Sequence, residues 1–174
     1  YEGTDTAITP YIGMYGGLIK LTTVGDKGMG LKASGNITVS GGVLQAQVGG
    51  AASKGISCDG DLQIVGGKVV AITTGGTLYE DNDLSSAAGI KCDGMLTIGN
   101  ATVALKSSGA AGKGINCDGD ISISSGVVKV ITTGAQSVYG RLDSSARGIK
   151  SKSNVTIDGG LVMVRTSGGE GSEG

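Results

Sequence analysis

The chain has 174 residues, of which 35 are glycine, 39% are apolar and only 17% are charged, and its net charge is -1. Because it contains no histidine, it can build neither a serine–histidine triad nor a His-ligated zinc or haem centre. Acidic and basic residues nearly cancel, so nothing in the charge supports binding to nucleic acid. No apolar run approaches the ~20 residues that a membrane-spanning helix needs.

A motif of seventeen residues recurs along the chain. Its ungapped copies begin at Gly30, Gly55, Gly89, Gly114 and Gly148, and a degenerate copy begins at Asp5. Within each copy, apolar and polar residues alternate in three short bursts that are separated by glycine or Asp-Gly turns. Alternation with a period of two predicts three β-strands in each copy.

Equivalent positions of successive copies carry similar residues, as Ile56, Ile90 and Ile115 illustrate. One copy cannot bury its inward side chains alone, but stacked copies can, in continuous ladders. The sequence therefore predicts an all-β fold: a right-handed, single-stranded parallel β-helix (β-solenoid) of about six coils, with three short strands per coil. The hand is taken by analogy with parallel crossovers. We expect one domain over residues 1–174, with coils at about 5–166 and a flexible polar tail at 167–174.

Three cysteines occupy one inward position of the repeat, at Cys58, Cys92 and Cys117. Neighbouring parallel strands rarely offer good disulfide geometry. Small side chains fill the same position in other copies, as at Ala33. We therefore expect free, buried thiols and favour them over a disulfide or a metal site.

The motif G-I-K-C-D-G-x-L-T-I from Gly89, preceded by a restart of the form S-S-A-x-G-I-K, resembles a known family. It is similar to bacterial cell-surface proteins called carbohydrate-binding domain-containing proteins, whose fold is similar to the pectate-lyase β-helix. The resemblance covers roughly residues 22–166. It implies a secreted or surface-anchored bacterial protein that binds plant-type or acidic polysaccharide, with calcium as a candidate ion.

Carboxylates recur at the turn that follows the cysteine position. Asp59, Asp93 and Asp118 form one predicted column, and Asp61 and Asp120 lie two residues further along. Calcium takes six to eight oxygen ligands, which carboxylates and turn carbonyls can supply. The alternative is that each Asp simply favours a turn and caps local N–H groups, with neighbouring lysines balancing its charge.

Basic residues form a stripe beside these aspartates. Lys32, Lys91 and Lys150 follow the first inward residue of alternate copies, whereas Lys54, Lys113 and Arg147 precede the restart glycine. A stripe of this kind suits the carboxylates of a uronate polymer. The alternative is a solvated face that compensates the aspartates.

Two similar insertions, at Thr73–Ala88 and Thr132–Arg147, carry one tyrosine each, Tyr79 and Tyr139. Because the insertions are two coils apart, we expect the tyrosines to repeat at about 10 Å. That spacing matches a disaccharide unit of an extended glycan, and aromatic faces suit sugar C–H groups. The alternative is that each tyrosine only holds its own loop on the solenoid.

The leading functional hypothesis is a non-catalytic polysaccharide-binding module on the bacterial surface. The alternatives are a structural or adhesive stalk that associates end to end, and a minimal polysaccharide lyase. An enzyme is disfavoured because catalysis needs one acid/base pair at a defined separation, whereas the carboxylates here recur regularly.

Overall fold

The computed structural model describes residues 10–168, which form 21 β-strands. In chain order the strands are β1 (Tyr11–Met14), β2 (Leu18–Thr23), β3 (Met29–Ala33), β4 (Asn36–Val39), β5 (Val43–Val48), β6 (Lys54–Cys58), β7 (Leu62–Ile64), β8 (Lys68–Thr73), β9 (Thr77–Glu80), β10 (Asp83–Ser86), β11 (Ala88–Cys92), β12 (Leu96–Ile98), β13 (Thr102–Ser107), β14 (Lys113–Cys117), β15 (Ile121–Ile123), β16 (Val127–Thr132), β17 (Ser137–Tyr139), β18 (Leu142–Ser144), β19 (Arg147–Ser151), β20 (Val155–Ile157) and β21 (Leu161–Thr166). No helix in this part of the chain is long and apolar enough to cross a membrane.

Seventeen of these strands form three parallel sheets. Sheet A has the order β1-β4-β7-β12-β15-β20, sheet B the order β2-β5-β8-β13-β16-β21, and sheet C the order β3-β6-β11-β14-β19. The chain visits sheets C, A and B in turn, so that each circuit adds one strand to every sheet. The predicted all-β fold with parallel pairing is confirmed, and the arrangement is consistent with a parallel β-helix. The predicted start at Asp5 and most of the predicted tail lie outside the described residues.

The repeat positions lie in register from one circuit to the next. Ile90 pairs with Ile56 on one side and with Ile115 on the other. All three isoleucines are fully buried in the core between the sheets. In the last circuit the predicted inward residues Val155, Ile157 and Val164 are instead about half exposed, because β20 and β21 are the last strands of their sheets and no described strand covers their outer edges.

The glycine that restarts each copy is required by close packing. A Cβ atom on Gly114 would lie 2.1 Å from Val130 Cγ1 and 2.5 Å from the carbonyl oxygen of Gly148 in the next circuit. No side chain fits in that space, because heavy atoms in contact need more than about 3 Å. Glycine at this position therefore lets the backbone of sheet C lie close to the side chains of sheet B.

The cysteines are free and buried, as predicted. They also have a hydrogen-bonding role that the sequence did not show. The Cys58 thiol donates to the Gly35 carbonyl at 2.9 Å, and the Cys117 thiol donates to the Gly94 carbonyl at 3.1 Å. Ser151, at the same position in the last circuit, donates to Gly119 at 2.7 Å. This column therefore joins each circuit to the turn of the one before it.

The two insertions form antiparallel hairpins that leave the stacked circuits. In β9–β10 the turn residues Asp81 and Asn82 have φ values of 49° and 59°, the pattern of a type I′ turn. In β17–β18, Gly140 occupies the first turn position with φ of 61°. Both turns match the twist of the strands that they join, so each insertion folds as a compact unit.

Candidate functional site

The two hairpins pack against each other through matched side chains. Alternate residues of a hairpin share one face, and in β9–β10 that face carries Thr77 and Tyr79. Thr77 Oγ1 lies 2.6 Å from Ser137 Oγ of the second hairpin. The rings of Tyr79 and Tyr139 stack, with centroids 3.9 Å apart and planes 21° from parallel. We call β9–β10 and β17–β18 together the hairpin pair.

The predicted 10 Å repeat of the tyrosines is therefore wrong. Strands two circuits apart do lie about 10 Å apart, but 10 Å is also the ordinary distance between two sheets packed face to face. When two backbones lie about 10 Å apart, side chains that point toward each other fill the space between them and come into contact. The tyrosine of each hairpin thus contacts its counterpart, and the two rings form one aromatic platform instead of two separate ones.

A groove of about 410 Å³ lies between the base of the hairpin pair and the outward face of sheet C. We call it the hairpin groove. Its charged lining residues are the cations Lys54, Lys91, Lys113, Arg147, Lys150 and Lys152 and the carboxylates Asp83, Asp118 and Asp143. Cations outnumber carboxylates two to one in a concave surface that carries part of the predicted basic stripe. The groove thus concentrates positive charge in a chain whose net charge is close to zero.

Lys113 lies at the floor of the hairpin groove and is only 7% exposed. Its ammonium donates to Ser86 Oγ at 2.7 Å and to Ser144 Oγ at 3.0 Å, one hydroxyl from each hairpin. Burial, followed by the charges of Lys150 and Lys54, lowers the pKa of Lys113 to about 8. The salt bridges found within residues 10–168 do not include Lys113, and the nearby charge of Asp83 only partly offsets the lowering of its pKa.

Lys54 is held in a similar way at the edge of the groove. Its ammonium donates to the backbone carbonyls of Ala52 at 2.8 Å and Ser86 at 2.6 Å. Burial, with a smaller contribution from the charge of Lys91, lowers the pKa of Lys54 to about 8. Two partly dehydrated ammonium groups, those of Lys54 and Lys113, therefore line the groove.

Asn116 lies in the middle of the groove, between Lys91 and Lys150 in the register of sheet C. Its Oδ1 is buried and is the one side-chain oxygen or nitrogen of this kind in residues 10–168 that has no hydrogen-bond partner. Buried acceptors without a donor are rare in folded proteins. A hydroxyl group of a ligand would satisfy this acceptor, because a hydroxyl can donate and accept together.

Among the predicted sugar-binding lysines, Lys91 and Lys150 line the groove and Lys32 does not. Lys32 instead pairs with Asp59. Lys91 pairs with Asp93 and lies 3.1 Å from Asp118. Burial alone would lower the pKa of Lys91, but its bonds to these two carboxylates outweigh that effect and raise it. Lys91 thus keeps its charge and is partly neutralised by the protein.

Lys152 also lies 3.1 Å from Asp118. Partial burial would raise the pKa of Asp118, but the hydrogen bonds from Lys152 and Lys91 outweigh it and lower the pKa. Three of the predicted calcium-binding carboxylates, Asp59, Asp93 and Asp118, are therefore each paired with a lysine.

The other two predicted ligands, Asp61 and Asp120, cap the turn of the next circuit. Asp61 Oδ1 accepts the Met95 N–H at 2.8 Å, and Asp120 Oδ1 accepts the Asn154 N–H at 3.0 Å. Hydrogen bonds from Ser153 and then from Asn154 lower the pKa of Asp120. The described residues contain no group of three or more His, Cys, Asp or Glu side chains placed to hold a metal ion. The calcium site stays a prediction.

The sequence analysis named Lys91, Lys150, Lys54, Lys113 and Arg147, which all line the groove, but missed the depth of Lys113 and the contacts of Ser86, Ser144 and Asn116. Both serines belong to the S-S-A-x-G-I-K motif, which occurs only where an insertion ends and the next copy begins. That repetition was the available signal. The only sequence signal for Asn116 was its repeat position, which is occupied by Lys91 and Lys150 in the neighbouring circuits.

Comparison with known proteins places the chain beside one described family. The sequence profile of the family described as "Carbohydrate-binding domain-containing protein" matches residues 2–136. This range includes β9–β10 and ends just before β17, so the second hairpin lies outside the matched region. No curated protein and no solved structure matches.

Proposed function

This chain belongs to the family of carbohydrate-binding domain-containing proteins, and we propose that it binds acidic polysaccharide in the hairpin groove without acting on it. The family membership supports a polysaccharide-binding role. The groove supports the narrower choice of an acidic glycan. As part of the same proposal, the chain is a secreted or cell-surface bacterial protein built as a right-handed β-helix of about six coils.

The single observation that carries the proposal is Lys113. A buried ammonium whose charge is only partly offset by the nearby Asp83 is costly, and an incoming carboxylate that bonds to it directly relieves that cost. The carboxylate of a uronate residue fits this role, with Arg147 and Lys150 lining the same groove. A charge-assisted hydrogen bond in such a site contributes about 1.5–3 kcal/mol.

Two further features suit a sugar rather than a simple anion. Asn116 Oδ1 offers an acceptor for a ring hydroxyl. The hairpin pair presents the stacked rings of Tyr79 and Tyr139, both of which remain exposed. Aromatic faces contact the C–H groups of a pyranose well. A uronate polymer combines carboxylates, hydroxyls and apolar ring faces, and the groove offers a partner for each.

A minimal polysaccharide lyase is the second candidate, and Lys113 is the observation that favours it. A base for removing the proton next to a uronate carboxylate works best with a pKa near the working pH. The pKa of Lys113 is about 8, and Arg147 lines the same groove. A lyase would release unsaturated uronate from polygalacturonate, which absorbs in the ultraviolet, whereas a binding module would not.

Affinity electrophoresis in gels that contain polygalacturonate, pectin or cellulose tests the proposal. We expect polygalacturonate to retard the wild-type protein and Lys113→Gln and Arg147→Gln each to weaken binding at least about tenfold. Lys68→Gln, which removes the same charge from the exposed face of sheet B, is the matched control and should bind like the wild type. Equal binding by Lys113→Gln and Lys68→Gln, or no retardation of the wild type, would refute the proposal.

A further inference from the structure

The outward face of sheet B is basic and lacks acidic residues. Its six strands contain no Asp or Glu at all. Five of the fourteen basic residues of the chain stand on it, with exposed side chains, namely Lys20, Lys68, Lys106, Lys129 and Arg165. The chain as a whole is nearly neutral, so this face concentrates positive charge well above the average of the surface.

These five cations form no salt bridge in the described part of the chain, whereas Lys32 and Lys91 of sheet C do. Within residues 10–168, none of the five takes part in a salt bridge. On the neighbouring faces, in contrast, Lys32, Lys91 and Lys152 are all paired with aspartates. A merely solvated face carries interspersed charges of both signs, which screen one another. The positive potential of sheet B is therefore not cancelled locally.

The cations are spread over an area rather than along a line. Lys106 pairs in register with Ile131, which pairs with Arg165, and Lys129 lies two residues before Ile131 on the same strand. With strands ~4.8 Å apart and ~3.3 Å per residue, Lys106, Lys129 and Arg165 form a triangle with sides of about 8–10 Å. Lys20 and Lys68 extend the same charge toward the first circuits.

Apolar side chains fill the space between the cations. Ile72 is 37% exposed and Met163 is 42% exposed, and Val70 and Ile131 are half-buried beside them. All of these residues project from one sheet, so their tips lie near a common surface. The face thus combines positive charge and exposed apolar groups on one side of a single sheet.

We propose that the outward face of sheet B docks on the surface of a lipid bilayer that contains anionic lipids. An anionic bilayer is planar and carries its negative charge in two dimensions, which matches the spread of these cations. The juxtaposed apolar side chains are positioned to enter the headgroup region. Each Lys or Arg near such a surface strengthens binding about fivefold. A dissolved linear polyanion, in contrast, would contact only the cations along its own path.

This inference goes beyond glycan binding, because the face of sheet B is separate from the hairpin groove. None of its five cations lines the groove. A chain with both surfaces would hold a polysaccharide on one side while it rests on a membrane with another. The two activities can therefore be removed one at a time.

Sedimentation with vesicles of phosphatidylcholine alone and of phosphatidylcholine with phosphatidylglycerol tests the inference on the full chain. We expect binding only to the anionic vesicles and release in molar salt, which screens exposed charges. The triple variant Lys106→Gln/Lys129→Gln/Arg165→Gln should bind about 100-fold more weakly, since three cations are lost, and should still bind polygalacturonate. The groove variant Lys91→Gln/Arg147→Gln/Lys150→Gln loses the same charge and should still bind the vesicles.

Three results would overturn the inference: no sedimentation with anionic vesicles, equal sedimentation with neutral ones, or a sheet B triple variant that binds as well as the groove variant does. Retention on immobilised polyphosphate without vesicle binding would assign the face to a soluble polyanion instead. Circular dichroism of both triple variants checks that they remain folded. The failure of glycan binding in the wild type would leave these vesicle results standing, so the two proposals fail independently.

Discussion

Tyr79 and Tyr139 lie ring against ring, with centroids 3.9 Å apart, although each belongs to a different hairpin. Hydrogen bonds between Thr77 and Ser137 and between Ser86 and Ser144 join the same two hairpins nearer their base. Lys113 then joins both hairpins from below through the two serine hydroxyls Ser86 and Ser144. The hairpin pair is therefore one structural unit whose underside is the roof of the groove.

The aromatic contact should couple the stability of the two hairpins. Stacked pairs contribute about 0.5–1.5 kcal/mol beyond the apolar area that they bury. We expect a double-mutant cycle of Tyr79→Ala and Tyr139→Ala to give a coupling energy in this range, measured by hydrogen exchange at the hairpin amides. Energies that simply add would show that the two rings do not support each other in solution.

The buried ammonium of Lys113 should make stability rise with pH. Its pKa is about 8 in the folded chain, below the ordinary value of 10.5. Between these values the unfolded chain binds more protons than the folded one, so unfolding becomes less favourable as pH increases. At about 1.36 kcal/mol per pKa unit, the full gain from Lys113 is about 3 kcal/mol, reached once the pH passes the ordinary pKa of a lysine.

Urea unfolding at about pH 7 and about pH 10 measures this gain. Between these two pH values Lys113→Met should gain about 2.5 kcal/mol less stability than the wild type, because the variant has no group to deprotonate there. Lys68→Met, on the exposed face of sheet B, is the control and should keep the wild-type rise. A Lys113→Met variant that gains as much as the control would show that Lys113 is not held in the environment described.

The restart glycines should tolerate no side chain. In Gly114→Ala the new methyl group would overlap Val130 Cγ1 and the carbonyl of Gly148, and relieving the overlap costs about 2–3 kcal/mol. Gly25→Ala is the matched control, because no atom beyond its two neighbours in the chain lies within 4 Å of the position that its new Cβ would occupy. Thermal unfolding should separate the two variants clearly. Equal melting temperatures would contradict the close approach of sheets B and C at this position.

The cysteines should be unreactive until the chain unfolds. Cys58, Cys92 and Cys117 have no exposed surface, and burial raises the pKa of each thiol. Since the thiolate is the reactive form, a thiol reagent at about pH 8 should label none of them in the native protein and all three in guanidinium. Rapid labelling of the native protein would place a thiol at the surface. Cys117→Ser should be well tolerated, because Ser151 makes the equivalent bond.

The contacts of the aspartates weigh against a strong calcium site. Asp59, Asp93 and Asp118 are paired with lysines, while Asp61 and Asp120 accept backbone N–H groups. Calcium would have to displace these partners, so we expect millimolar calcium to leave the melting temperature unchanged within about 1 °C. An increase of several degrees that a chelator reverses would support the calcium site that the sequence suggested.

The circuits were predictable from the sequence because backbone geometry dictates them. Ile56, Ile90 and Ile115 recur at one position between fixed turns, and parallel pairing places them in one column whatever the surroundings. The contact between Tyr79 and Tyr139 was not predictable in the same way. The spacing of stacked strands fixes the distance between the backbones of the two hairpins. The distance between the two tyrosine rings depends instead on which face each hairpin turns toward the other.

The burial of Lys113 in the groove could not be predicted from the sequence either, because it also depends on how the hairpins pack. Lys113 and Lys32 look alike in the sequence, as lysines beside a restart glycine or an inward residue. The hairpin pair covers Lys113 and leaves Lys32 exposed beside Asp59. An insertion covers residues in the circuits next to it and so changes their environment. An alignment of the repeats treats these residues as equivalent to the uncovered ones in other circuits.

The most direct test of the account is a crystal structure of the chain soaked with trigalacturonate. We predict a uronate carboxylate within hydrogen-bond distance of Lys113 Nζ in the hairpin groove, and a sugar hydroxyl that donates to Asn116 Oδ1. Trigalacturonate bound elsewhere, with the groove holding only solvent, would contradict the assignment of this groove as the glycan-binding site.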